Sequence, residues 1–391
     1  LRRGLFVSPF LSSIFSSPTL GNIISLSFPS RLPVSKEVFP VQIQSWSFLP
    51  SATAADSLSR QTQPRTSFFR LRRLISYAAF AVLTCATALA QVHAYSTIVV
   101  FGDSLSDTGN VLHLSLRKYW IPVPANVPLL GEDYTLGRFT DGYDTSPHAR
   151  RHFGVWIEQL AAALPGHPLV FNSLDHGTNY AYGDATTADG FNTLYFGIGN
   201  ASVQIENIGQ QITDYLATNP HIDDHTLFVV WGGAEDFLSA IANNVVLTPN
   251  DVQSAAVRQT SNIQRLIQAG ATQFLIPNLP PLGLVPRLNG SSATSGPANT
   301  LSQIFNGYFA TGIASLKGWY PGVTFYQLDV YDLFLDVAAS PGKYSLTNVT
   351  GPADNLPWFA NPDSYLFWDD LHPTTTGHFI LAAAALDLLS H

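Results

Sequence analysis

The chain has 391 residues, 46% hydrophobic and 12% charged, with a formal net charge of −8. That acidic balance argues against nucleic acid or an anionic membrane as partners held by charge, since both are polyanions, and points to neutral substrates. The single cysteine, Cys85, lies in the N-terminal quarter, so neither a disulfide framework nor thiol chemistry is expected to serve the rest of the chain.

Charge is unevenly spread. Residues 1–94 hold nine Lys and Arg against two Asp and Glu, whereas residues 95–391 hold ten against 25. Such asymmetry marks segments with different fates. Residues 1–69 are rich in Ser, Pro and Arg and read as a disordered or spurious extension, a composition that also fits a transit peptide. Arg70, Arg72 and Arg73 then precede the apolar run Leu74–Ala90, which ends in small residues at Ala88, Ala90 and Ala94. This is the pattern of a secretory signal peptide over residues 70–94, cleaved after Ala90 or Ala94. The alternative is a membrane anchor, should residues 74–90 be retained. Three N-x-S/T triplets, at Asn200, Asn289 and Asn348, are candidate glycosylation sites and agree with secretion.

The remaining body, residues 95–391, is long enough for one large core. Tyr95–Phe101 reads as a buried strand, followed by FGDSLSDTGN, whose Asp103, Ser104, Asp107 and Gly109 predict a turn into a helix. A hydroxyl there faces the first N–H groups of a helix, where α/β proteins bind ligands and stabilise oxyanions. On its own, Ser104 also reads as a simple N-cap. Further strands are expected at Leu169–Asn172, Thr226–Trp231, Thr272–Pro277 and Val323–Leu328. Helices are expected near Val155–Leu164, Ala201–Ala217, Pro249–Ala269 and Ala298–Trp319. Continuous apolar strands alternating with helices imply an α/β fold, a three-layer α/β/α sandwich with a mostly parallel central sheet. Near the C-terminus, WDDLHPTT places Asp369 three residues before His372, ahead of a long helix starting near Thr374. A nucleophilic serine needs a base, and the base needs a carboxylate to hold its tautomer.

In order along the chain, FGDSLSDTGN, NYAYGDATT, VVWGGAEDF, IPNLPPLG and WDDLHPTT resemble the blocks of GDSL esterases and lipases of the SGNH hydrolase superfamily. The resemblance covers residues 95–391 and is nearest the secreted branch of microbial acylhydrolases and carbohydrate acetylesterases. It implies a flavodoxin-like sheet, Ser104 as nucleophile, His372 as base, Asp369 as its orienting acid and Gly183 as an oxyanion-hole glycine. Where the family has Gly-x-Asn-Asp, with the Asn amide donating to the oxyanion, this chain has Gly233, Ala234, Glu235 and Asp236. An ionised Glu235 accepts hydrogen bonds and repels an oxyanion, which would leave a silent carbohydrate- or lipid-binding scaffold; a protonated one can donate, favouring activity at acidic pH. Asp184 also stands where relatives often carry a second glycine.

The implied function is a secreted serine ester hydrolase acting on acetylated carbohydrate or on short acyl or lipid esters, with acyl transfer to an alcohol as a variant. A glycosidase using Glu235 and Asp369 as paired carboxylates is a third reading, and it leaves Ser104 unexplained. No P-loop, dinucleotide fingerprint or G-x-S-x-G elbow occurs, so no cofactor is expected. His148 and His152 lie four apart in an insert over residues 143–154 but lack a third ligand, and HIDDH, His221–His225, reads as a solvated turn. Trp120, Tyr182, Trp231, Trp358, Phe359, Tyr365 and Trp368 are candidates for stacking on sugar, lining an acyl pocket, or plain core packing.

Overall fold

Thr97–Gly102 (TIVVFG) forms the first strand, β1, and its last five residues are buried, as expected of a strand covered on both faces. In the computed structural model the described residues are 95–391, apart from 124–125, 128–131, 134–136, 142–151, 197–198, 243–244, 355 and 357–360. Residues 1–94 with Cys85, His148, most of the 143–154 insert, Trp358 and Phe359 lie outside them.

β1 pairs in parallel with Thr226–Trp231, here β4, whose six residues are all buried. β4 pairs with Gln273–Pro277 (β5), and β5 with Thr324–Leu328 (β6), both in parallel, giving the order β1-β4-β5-β6. The other edge of β1 is also occupied. Val100 N–H donates to Thr178 O, Tyr180 N–H to Val100 O and Tyr182 N–H to Gly102 O, so residues 178–182 run beside β1 as an irregular fifth strand. The chain therefore leaves β1 toward both sides, and its carboxyl end is a topological switch point.

Helices cover the sheet. Pro249–Gln268 (α5) packs on both Ile208–Thr218 (α3) and Ser292–Trp319 (α6), Val330–Ala339 (α7) follows β6, and Trp156–Ala163 (α2) packs on the C-terminal helix Thr375–Leu389 (α8). The start of α5 is set locally. Thr248 and Asp251 form a capping box around Pro249 at the first helical position.

Two expectations are corrected. Leu169–Asn172 makes a single bridge, Asn172 to Asn179, and is not a sheet strand. The stretch expected as one helix over Ala201–Ala217 is instead strand Ser202–Glu206 (β3), antiparallel to Phe191–Tyr195 (β2), followed by α3. Val203 and Ile205 are buried while Gln204 is exposed, a period of two rather than 3.6, and Asn207 in an extended conformation separates the elements. No helix of the described residues is long and apolar enough to cross a membrane.

Candidate active site

β1 ends at a glycine for a steric reason. A Cβ on Gly102 would lie 2.6 Å from Trp231 O, so only glycine lets β1 and β4 stay paired to their ends. Gln211, fully buried on α3, accepts from Gly102 N–H at 3.0 Å and donates to Gly102 O at 2.9 Å, fixing the strand end in place. Beyond it Asp103 O accepts from the N–H groups of Ser106 and Asp107, making a tight turn with Ser104 at its apex.

Ser104 is not the cap of the following helix, Asn110–Tyr119 (α1). Asp107 does that work: its carboxylate accepts from Gly109, Asn110 and Val111 N–H at 2.7, 2.8 and 3.3 Å. The Ser104 hydroxyl is free to face His372, with Oγ 2.9 Å from Nε2. His372 Nδ1 lies 2.6 Å from Asp369 Oδ2, and Asp369 Oδ1 accepts from Leu371 N–H at 2.7 Å and from His372 N–H at 2.5 Å. A carboxylate at Nδ1 holds the proton there, so Nε2 accepts from the serine. Ser104, His372 and Asp369 are 5%, 8% and 9% exposed, shielded enough from water for these interactions to be strong. Because Asp369 is committed to the histidine loop, it does not stand as a free carboxylate opposite Glu235.

Residues outside the expected relay, most of them not singled out in the sequence, hold His372 in place. Phe139 packs on the imidazole, ring centres 5.2 Å apart. Thr140 Oγ1 donates to Pro373 O at 2.9 Å, and the neighbouring Asp141 accepts from Thr375 N–H and, at 3.0 Å, from Thr375 Oγ1. Thr374 caps α8 through its side chain, which accepts from Gly377 N–H. On the other flank Arg287 grips Asp370 with two bonds, 2.7 and 3.0 Å, and donates its backbone N–H to Asp370 O.

The backbone N–H groups near Ser104 are not equally available. Gly183 N–H is not free: it donates to Asp107 Oδ2 at 3.1 Å. The N–H of the next residue, Asp184, has no acceptor among the described residues, and neither has Ser104 N–H. Asp184 is left-handed, φ 69°, a conformation glycine adopts without cost. Gly183 has its own steric duty, since a Cβ there would lie 2.4 Å from the Phe139 ring. Gly183→Ala is therefore expected to push Phe139 against His372 and lower kcat about 10- to 100-fold with KM little changed, as steady-state kinetics would show.

Glu235 opens the helix Glu235–Ala242 (α4) and is 7% exposed. It shares a cavity of about 40 Å³ with Asp103, Ser104 and His372, and the rest of the wall is apolar, with Leu105, Leu238, Pro280, Leu282, Val285 and Leu371. Burial, then Asp184 and Asp103, push its carboxyl well above the ordinary range, with Arg287 pulling the other way. Burial likewise raises Asp103 to about 7 and Asp184 to about 6. The next residue, Asp236, points elsewhere. It accepts from Thr187 N–H and Oγ1 and from Arg258 Nη2, all within 2.9 Å, and so ties α4 to the segment carrying Asp184.

The other candidates lie apart. His152 stacks on Phe379 at 3.9 Å, and His221–His225 occupies an exposed turn before β4. Trp231 and Tyr182 are core residues, Trp368 is buried beside Ala353, Tyr365 packs at the edge of that cluster, and Trp120 is 88% exposed. Asn200 lies exposed in the turn between β2 and β3, whereas the Asn289 amide donates to Leu284 O and Thr350 O. Asn348 Oδ1 accepts from Thr350 and Gly351 N–H. A larger cavity of about 610 Å³, bordered by Thr97, Tyr180, Glu206, Asp214 and Asn219, contains none of the relay residues.

Fold and site together define a class: a parallel α/β protein with a serine–histidine–aspartate relay at the carboxyl end of its first strand. The chain belongs to the GDSL-like lipase/acylhydrolase family, whose model matches residues 98–385. It is 25% identical over 316 residues to the anther-specific proline-rich protein APG of Arabidopsis thaliana, covering 71% of this chain and 58% of that one. With an uncharacterised protein of the trpE-trpG intergenic region of Pseudomonas putida it shares 27% over 334 residues, 79% of this chain and 51% of the other. The chain thus spans between half and three-fifths of the length of these two curated relatives. The GDSL esterase/lipase At2g23540 of Arabidopsis thaliana is 25% identical over 327 residues, 73% of this chain and 82% of that one. Among solved structures, a carbohydrate acetylesterase from Sinorhizobium meliloti aligns at a TM-score of 0.36 and 16% identity, over 74% of this chain and 96% of that one.

Proposed function

We propose that the protein is a serine ester hydrolase cleaving carboxylic esters of neutral substrates, acetylated carbohydrate or other short acyl esters. The observation that carries this reading is the continuous chain from Ser104 Oγ to His372 Nε2 and from His372 Nδ1 to Asp369. His372 Nε2 takes the Ser104 proton as Oγ adds to the ester carbonyl, and Asp369 stabilises the imidazolium. Collapse of the tetrahedral intermediate breaks the bond to the alcohol oxygen, which leaves with the proton from His372. Water, deprotonated by the same histidine, then attacks the acyl-serine and releases the acid. Ser104 and Asp184 N–H are the backbone donors proposed for the oxyanion, Asp184 taking the part first expected of Gly183.

The small, mostly apolar cavity beside Ser104 supports a short acyl chain, and the acidic body supports an uncharged substrate. Secretion is part of the same proposal, supported by the basic flank and apolar run of residues 70–94. The test is hydrolysis of p-nitrophenyl acetate by the wild-type protein and by Ser104→Ala. Loss of activity in the variant supports the reading, and equal rates overturn it.

A further inference from the structure

The Glu235 carboxyl is more than nine-tenths buried, opens onto the cavity of Ser104 and His372, and makes no hydrogen bond among the described residues. Most of its charged neighbours are acidic. Asp103 faces it from the turn after β1 and Asp184 from the segment beside β1, both acidic. On its own helix Asp236 is engaged with Thr187 and Arg258. His372, in the same cavity, has both ring nitrogens committed to Asp369 and Ser104. Among the described residues Arg287 is the cation acting on Glu235, and its guanidinium is held in two bonds by Asp370.

A carboxylate in that position would be desolvated, unpaired and repelled by two others, an arrangement far costlier than the neutral acid. A neutral carboxyl has one O–H to donate, and the reacting carbonyl beside Ser104 is the acceptor within its cavity. We propose that Glu235 works as a neutral carboxylic acid whose O–H donates to the substrate carbonyl oxygen and to the oxyanion it becomes, making it a catalytic residue that gives the site a built-in requirement for acid. This inference rests on the ester-hydrolase reading and adds the third donor to the Ser104 and Asp184 N–H groups. The sign follows from the group: protonation creates the donor, so the Glu235 contribution to turnover is present below its raised ionisation and lost as pH rises through it, while the acid limb is set separately by the need for His372 to be unprotonated as base. Above that point the carboxylate both withdraws the donor and repels the oxyanion. The same chemistry arises wherever an apolar site keeps an acid neutral.

The experiment measures acid release from phenyl acetate at constant pH, from pH 4 to 9, for wild type, Glu235→Gln, Glu235→Ala and Ser104→Ala. The amide of Glu235→Gln donates at every pH, so this variant is expected to lose the alkaline fall of the wild type and to exceed it at least tenfold at the alkaline end. Glu235→Ala is expected to lose about 10²- to 10³-fold in kcat with KM nearly unchanged. An infrared difference spectrum of wild type minus Glu235→Gln at pH 7 is expected to show the C=O band of a protonated carboxyl, a readout independent of turnover. A carboxylate band in its place overturns the proposal, as do superimposable pH profiles of wild type and Glu235→Gln. So does a wild type that is silent throughout while Glu235→Gln is active. Full activity in Ser104→Ala would instead overturn the hydrolase reading itself, which separates the two failures.

Discussion

His372→Ala is expected to lower kcat for short ester hydrolysis by about 10⁵- to 10⁶-fold, and Asp369→Asn by about 10⁴-fold, measured with p-nitrophenyl acetate. The inequality follows from geometry. Without His372, Ser104 Oγ loses its proton acceptor at 2.9 Å, and a hydroxyl at neutral pH is a poor nucleophile. Asparagine at 369 keeps the shape and can still accept from Leu371 and His372 N–H through one oxygen. Its amide then faces His372 Nδ1, draws the ring into the tautomer protonated on Nε2, and leaves no acceptor for the serine proton. Combining the two substitutions costs little beyond His372→Ala alone, because the groups act as a unit. A double variant slower than His372→Ala by the full Asp369→Asn factor would show that they act separately.

Asp107→Asn is expected to lower the free energy of unfolding by about 2–3 kcal/mol and Asp107→Ala by about 3–5 kcal/mol, read from urea unfolding at pH 7. Asp107 is fully buried, and its two oxygens accept four backbone N–H groups, from Gly109, Asn110, Val111 and Gly183. Alanine leaves all four donors without acceptors in a site closed to water. Asparagine keeps one oxygen and turns an NH₂ toward the other pair of donors. Burial pushes the Asp107 carboxyl up to about 6 despite those four bonds. The donors nonetheless need an acceptor there, whichever protonation state it holds. Activity falls with stability in these variants, because the Asp107–Gly183 bond also places Asp184 next to the site.

Some of this site was legible from local pattern alone. A β-branched run ending in GDS announces a serine at a strand terminus, and an Asp three residues before a His can close a ring between carboxylate and Nδ1 within one turn. Both features depend on neighbours within a few residues, and the structure places Ser104, Asp369 and His372 as those patterns suggest. The strands Thr226–Trp231 and Gln273–Pro277 were readable for the same reason, being unbroken apolar runs that only a doubly covered sheet explains. Ser202–Glu206 was misread because Val203, Ile205 and Ile208 fit a helical stripe as well as an alternating strand. Pairing with Phe191–Tyr195 decides between them, and that partner is not adjacent to the ambiguous residues.

By itself this sequence carries the alternation of strands and helices, the residue types of the relay and Glu235, within the body that the family model matches, residues 98–385. Tertiary structure alone decided how the backbone donors are shared, because Asp107 claims the N–H of Gly183 from 76 residues away and leaves that of Asp184 unbonded. It also decided the electrostatic setting of Glu235, which depends on Asp103, Asp184 and Arg287 converging from three separate segments. Hydrogen-bond allocation and local dielectric are properties of neighbours in space, and neither is written in the spacing of residues along a chain.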